Sequence, residues 1–230
     1  MKINFCNLDA CSTARGVVVA VDVVRAFTTA AFAFSAGAQQ ILLVGSVDEA
    51  LELRARFPGV LLMGESGGMP VEGFDLENSP AQFRGLDLAG KTLVQRTSAG
   101  TQGIVRSTAA ERLFAASFVI AGATARAIRI AEPAEVTFVI TGARPEDGHF
   151  APEDRACAEY VAALLRGGSP DPRRYMAWAN TFIEEQLQGD PAEKRRRFAA
   201  DLEFCVQTDR FPFALEVEHR DGLLIMEKKI

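Results

Sequence analysis

Residues 16–30, GVVVAVDVVRAFTTA, constrain this chain more than any other stretch. Val17 to Val21 are small or β-branched with no polar alternation, a pattern that suits a strand covered on both faces. Such strands belong to α/β folds, in which helices pack above and below a sheet. The run ends in Asp22 and Arg25, and Thr28 and Thr29 follow at the start of a helix. In open α/β sheets ligands collect at the carboxyl ends of strands. Asp22 is therefore either a cap for the helix that follows or a functional carboxylate.

The chain continues in the same manner. Thr28 to Ala36 predicts a helix stopped by Gly37, and Ile41 to Val44 a second buried strand. Ser46 caps a helix to Phe57, with Glu49 completing a capping box, and Val60 to Met63 predicts a third strand that ends in Gly64-Glu65. After a Gly-, Pro- and Asp-rich stretch over 64–91 the order repeats. Thr92 to Gln95 is a strand, residues 97–101 (TSAGT) a turn, Thr101 to Glu111 a helix, Phe118 to Ile120 a strand, Thr124 to Ile130 a helix and Val136 to Ile140 a strand. The expected fold is a three-layer α/β/α arrangement with a mostly parallel or mixed sheet. It is one compact unit over 1–230, built from two architecturally similar halves, 16–64 and 91–142, with a C-terminal helical and strand extension over 170–230. Pro152-Glu153-Asp154 opens a helix to about Leu165, two amphipathic helices follow, and strands at 214–219 and 223–226 flank an Asp221-Gly222 turn. The 64–91 stretch reads as a functional loop pinned by Phe74, Leu76 and Phe83.

Composition removes several classes. A formal net charge of −5 leaves no basic field for nucleic acid, although a local phosphate pocket stays compatible with it. No apolar run approaches the roughly 18 residues a membrane helix needs. The first residues lack a signal-peptide pattern, so a cytoplasmic location is expected. Four scattered cysteines point to reduced, mostly buried thiols. With only His149 and His219 present, a His-rich binuclear centre and a Ser-His triad are disfavoured, and any metal should be hard and oxygen-ligated, magnesium first. There is no P-loop, no GxGxxG after a strand and no GxSxG elbow. The second acid of aspartyl-nucleophile phosphatases is replaced by Val24.

What remains is a dispersed set of residues. Asp22 to Thr29 forms a D-V-x-R-A-x-T-T strand end, Gly64-Glu65 follows a later strand, Gly73 to Pro80 reads G-F-D-x-x-N-S-P, Thr97 to Thr101 forms a T-T-N-G-T-like turn, and Glu153-Asp154 starts a helix. In this order and spacing the set resembles the 2-phosphosulfolactate phosphatase family over about residues 16 to 165, and the tail Asp201 to Pro212 looks similar to that family too. The resemblance implies a Mg²⁺-dependent phosphatase acting on a small sulfonated, phosphorylated hydroxy acid. On that footing Asp22, Arg25 and Glu65 are the expected catalytic residues, and Asp22, Glu65 and Asp75 the expected metal ligands. The expected substrate-binding groups are Thr28, Thr29, Asn78, Ser79, Thr97, Ser98, Gly100, Thr101, Glu153 and Asp154. His149, just before the Glu153 helix, is either an anion contact or a surface residue.

The chain departs from the family pattern at Ser66, Glu77, Ser98 and Ala99. Losing an amide and a cation while gaining an acid weakens the hold on a dianion. The alternative expectation is therefore a non-catalytic or altered-specificity small-anion-binding member of the same family. Apolar faces on the C-terminal helices lead to the expectation of a homodimer.

Overall fold

Val17–Val21 forms strand β2, and all five of its side chains are buried. Val18 and Ala20 enter one hydrophobic cluster while Val17, Val19 and Val21 enter another, so the strand is covered on both faces. The structure is a computed structural model that describes residues 1–143, 150–189 and 192–230. His149 lies outside the described residues.

Among the described residues ten strands form one mixed sheet. Its first block is β1 (Lys2–Cys6), β8 (Glu135–Ile140), β2 and β7 (Arg112–Ala116), all parallel. Its second block is β3 (Gln40–Leu43), β6 (Thr92–Arg96), β4 (Leu61–Gly64) and the two-residue β5 (Leu76–Glu77), again all parallel. Between the blocks lies the hairpin β9 (Ala214–Arg220) and β10 (Leu223–Lys229), antiparallel to its neighbour on each side. Asp221 and Gly222 at its turn both have positive φ, 53° and 77°, which suits a tight two-residue hairpin. The C-terminal strands are thus the centre of the sheet rather than an appendage.

The element order strand, helix, strand, helix, strand occurs twice. It runs first through β2, α1 (Ala26–Ser35), β3, α2 (Val47–Arg56) and β4, then through β6, α3 (Gly100–Arg106), β7, α4 (Ala121–Ile130) and β8. The two segments interlock. β2 is inserted between β7 and β8, and β6 between β3 and β4, so each segment's first strand pairs with the other segment's last two. α1 and Ile104 of α3 belong to the cluster that draws on both blocks, whereas α4 and α5 (Pro152–Leu165) cover the opposite face of the first block and α2 that of the second. Helices therefore lie on both faces of the sheet. α6 (Pro172–Gly189) packs on α5, and α7 (Ala192–Cys205) reaches the 3₁₀ turn at Pro80–Phe83.

Two expected elements shift. The helix expected to reach Glu111 ends at Arg106, and the strand expected at Phe118–Ile120 is a 3₁₀ turn, the strand proper being Arg112–Ala116. The whole stretch from Leu113 to Ile120 is apolar but for Ser117, so local pattern does not choose a register. Pairing does: Val17 to Val21 align with Arg112 to Ala116, and the strand stops level with the end of β2. Ser46 caps α2 as expected, accepting from the Glu49 amide at 3.1 Å, while the Glu49 carboxylate accepts from Gly45 N at 2.8 Å. All four cysteines are free, and Cys11, Cys157 and Cys205 are buried. Among the described residues no helix is long and apolar enough to cross a membrane.

Candidate active site

The site begins where β2 hands over to α1. Asp22 is 6% exposed, and its Oδ1 accepts from the Ala26 amide at 2.8 Å, so it caps the helix. Its Oδ2 is left facing Thr141 Oγ1 at 3.4 Å, at the end of β8. The other strand end, after β6, is built the same way. Thr97 Oγ1 accepts from Thr101 N at 3.0 Å, and Thr101 Oγ1 accepts from Thr97 N at 2.9 Å, closing the first turn of α3.

These two strand ends meet. A Cβ on Gly100 would lie 2.6 Å from Ala26 Cβ and 2.7 Å from Asp22 Oδ2, so only glycine lets α3 approach this closely. In a flat sheet β2 and β6 would be five strands apart and run in opposite directions. Their contact means that the sheet coils around the α1 and α3 pair. Gln95 adds a tie across the same junction, donating from Nε2 to Ala26 O at 2.9 Å.

The carboxylates around Asp22 repel one another. Asp154 accepts from Val23 N at 2.7 Å and Gly142 N at 3.1 Å, which draws the ends of β2 and β8 onto the first turn of α5. Burial, then the charges of Glu153 and Asp22, push its pKa well above the ordinary aspartate value. Glu153 is raised to about 7 by burial and by the Asp22 charge, against the lowering effect of its own amide. Asp22 is raised to about 6, first by burial and then by Glu65, with the Ala26 amide opposing. A cluster of this kind favours binding of a cation or a proton.

Glu65 is 7% exposed and bound inward. Its carboxylate accepts from the amides of Ser98 and Gly68 and from the Ser98 hydroxyl. Its main chain pairs with Arg96, Glu65 N donating to Arg96 O at 3.0 Å and Arg96 Nη1 to Glu65 O at 2.8 Å. Gly64 makes that pairing possible: its φ is +144°, and a Cβ there would fall 1.9 Å from Arg96 O.

Arg25 is 5% exposed. Its Nη1 donates to Asp201 Oδ2 at 2.6 Å, and its guanidinium lies 4.2 Å from the Phe198 ring centroid. Asp201, on α7, also accepts at Oδ1 from Ser79 Oγ at 2.6 Å and from Ala81 N at 3.2 Å.

The structure thus gathers Asp22, Arg25, Glu65, Gly100, Glu153 and Asp154 around the two strand ends, but several expected ligand-binding hydroxyls are already committed. Thr28 donates to Val23 O at 2.8 Å, Ser79 donates to Asp201, Ser98 donates to Glu65, and Thr97 and Thr101 close the α3 cap. Thr29 Oγ1 and Asn78 Oδ1 are buried with no hydrogen-bond partner among the described residues, so they remain open to a ligand or a water. Asp75 is not brought in. It is exposed, paired with Arg54 of α2, and accepts from Leu62 N at 2.8 Å, so it ties the 64–91 loop to the edge of the sheet. Asp75→Asn is accordingly expected to lower stability by about 1 kcal/mol while leaving Mg²⁺ affinity within twofold, as read by urea unfolding and by metal titration.

Among the described residues no three Asp, Glu, His or Cys side chains converge closely enough to hold a metal by themselves. Mg²⁺ does not require that, since it keeps several waters and is held by one or two carboxylates together with substrate phosphate oxygens. Asp22 Oδ2 lies outside the cap and the Asp22 charge is felt at Glu153, so these two carboxylates are the candidates for such a donor set. Glu65, whose oxygens already take three donors, fits it less well. Sequence reasoning gives no site role to Thr141, and reaches Asp201 only as the first residue of the family-like tail Asp201 to Pro212. Its pairing carries no local signal, Asp201 being one acid in a highly charged helix and 176 positions from the arginine it pairs with.

Comparison with known proteins adds a second line. Residues 7–220 match the family model described as 2-phosphosulpholactate phosphatase. A relative from Caldicellulosiruptor saccharolyticus is 35% identical over 206 residues, covering 83% of this chain and 84% of the relative. One from Carboxydothermus hydrogenoformans is 34% identical over 223 residues, covering 91% and 90%. One from Bacillus subtilis is 36% identical over 149 residues, covering 65% of this chain and 64% of the relative. All three bear the name probable 2-phosphosulfolactate phosphatase.

Proposed function

The chain belongs to the 2-phosphosulpholactate phosphatase family, and on that footing we propose that it is a magnesium-dependent phosphatase of a small phosphorylated hydroxy acid bearing a sulfonate or carboxylate. The reaction is phosphomonoester hydrolysis: water adds to phosphorus, the bond to the hydroxy-acid oxygen breaks, and that oxygen takes a proton. The observation that carries this reading is the meeting of the two strand ends, which sets Asp22 Oδ2 beside the start of α3, with Arg25 in the turn that leads from Asp22 into α1.

Each residue has a definable part. Asp22 and Glu153 would hold Mg²⁺, which when bound neutralises charge on the phosphoryl oxygens and polarises the bond to be cleaved. The N-terminus of α1 and the Arg25 guanidinium favour the anionic groups of the substrate. Glu65 holds the 66–68 and 97–98 turns together through its three acceptor contacts. Asp154 keeps β2, β8 and α5 in register. Free, mostly buried thiols suit a reducing cytoplasm, and a homodimer is part of the same proposal.

The direct test is phosphate release from 2-phosphosulfolactate, phospholactate and p-nitrophenyl phosphate, with Mg²⁺ and with EDTA. The expected result is release from the phosphorylated hydroxy acids that EDTA abolishes and Mg²⁺ restores. No release from any compound, or release indifferent to EDTA, contradicts the proposal. A saturable thermal shift with a sulfonate and zero turnover would instead favour the binding-only reading, to which Ala99 and Ser66 contribute by supplying neither amide nor cation.

A further inference from the structure

Asp201 is 0% exposed, and a carboxylate without water must find donors in the protein. Among the described residues it finds three: Arg25 Nη1, Ser79 Oγ and Ala81 N. They come from two places distant in sequence, the start of α1 and the turn over 79–81, so one side chain of α7 joins both to itself. Phe198 sits three residues earlier on α7, which puts it on the same helix face, and its ring lies against the guanidinium at 4.2 Å. Arg25 is therefore held from one helix at two points, an in-plane charge-assisted bond and an aromatic face.

Stability is a poor explanation for such a pair. A buried ion pair recovers little beyond its desolvation cost, and well-packed apolar residues would join α7 to α1 equally well. What the ion pair supplies that apolar packing would not is a fixed orientation of the guanidinium plane. A guanidinium offers five N–H donors, and Asp201 engages Nη1. An arginine that has already lost its rotamer freedom binds an anion without bearing that ordering cost again.

We propose that Asp201 is a positioning residue for the anion site: it orients Arg25 and, through Ser79, fixes the 79–81 turn, so that the guanidinium meets the substrate's anionic group ready-made. This rests on the reading of Arg25 as an anion receptor given above. It makes α7 part of the site although α7 brings no group to the reacting atoms, and it makes the Ser79 hydroxyl a tether rather than a substrate contact.

Asp201→Asn is close in shape. Its amide oxygen still accepts from Ser79 and Ala81, while its Nδ2 turns a donor toward the Arg25 donor, so the guanidinium loses its orientation. The expected result is a rise of about tenfold in KM for the phosphorylated hydroxy acid with kcat changed less than threefold, and a matching tenfold rise in the Kd of inorganic phosphate by calorimetry. In an Arg25→Lys background the same substitution should add less than twofold, because it acts through the guanidinium. Ser79→Ala, which leaves the ion pair intact, should raise the phosphate Kd about threefold and serves where Asp201→Asn does not fold. Equal effects of Asp201→Asn in both backgrounds overturn the proposal. So does a lowered Tm with KM and phosphate Kd unchanged, an unchanged phosphate Kd in Ser79→Ala, or absence of phosphate binding by the wild-type protein. Wild-type protein that binds phosphate with this coupling yet turns nothing over contradicts the proposed activity and leaves the Asp201 assignment standing.

Discussion

Asp22→Asn is expected to abolish turnover while making the metal-free protein more stable at neutral pH. The folded protein holds the Asp22 proton to about pH 6, whereas the ordinary value is 3.8. Between those limits the unfolded chain releases a proton that the folded one keeps, so stability is highest below the lower value and falls as pH rises through the upper one. Ionising this buried carboxyl in the fold at pH 7 therefore costs stability on the order of a few kcal/mol. Asparagine removes this titration, still accepts from Ala26 N, and can donate to Thr141 Oγ1. In EDTA the variant's Tm at pH 7 should exceed that of the wild type by about 5 °C or more, and the gap should close toward pH 4. Turnover should fall by about 1000-fold or more, since the carboxylate beside the substrate is gone. A variant less stable at pH 7 and still active would contradict both halves.

Gly100→Ala should show the opposite combination of local chemistry and fold. Alanine is the better helix former by about 1 kcal/mol. Its Cβ, however, would fall 2.6 Å from Ala26 Cβ and 2.7 Å from Asp22 Oδ2. Neither neighbour is the free end of a flexible chain, because Asp22 is tied to Ala26 N and Ala26 O accepts from Gln95. The two strand ends must therefore separate. A loss of at least about 100-fold in kcat/KM is expected, with stability down by about 1–3 kcal/mol. Unchanged kinetics would mean that the approach of α3 to Asp22 does not matter to the reaction.

Much of the fold was legible because its signals are local. The unbroken Val17–Val21 run, the Ser46 and Glu49 pair, the acids opening α5 and the Asp221-Gly222 turn each specify an element within a few residues. The mixed sheet in a three-layer arrangement followed from them. The interlocking of the two segments and the central place of β9 and β10 did not, since strand order is set by pairings between distant residues. The displaced strand at Arg112–Ala116 is the same lesson in miniature: an apolar stretch offers several registers and β2 selects one.

The site divides along the same line. Motif positions lead to the strand ends that the fold brings together, yet not to the contacts each side chain makes there. Thr97, Thr101, Thr28 and Ser98 look like ligand donors in a sequence, but each satisfies a nearby backbone or carboxylate group once the turns are closed. Asp75 looks like a metal ligand until Arg54 is found beside it. Asp201 stands in the sequence only as the start of a family-like tail, and its role is invisible there, because nothing in α7 distinguishes it from the surrounding charges except the arginine it faces.

On the function proposed above, the ends of β2 and β6 form one metal-assisted phosphate site on Asp22. Diffraction from crystals soaked with Mn²⁺ and inorganic phosphate tests it most directly. An anomalous peak is expected on Asp22 Oδ2, shared with Glu153, with a phosphate between it and Arg25. A metal bound at Asp75, or none within coordinating distance of Asp22, would contradict it.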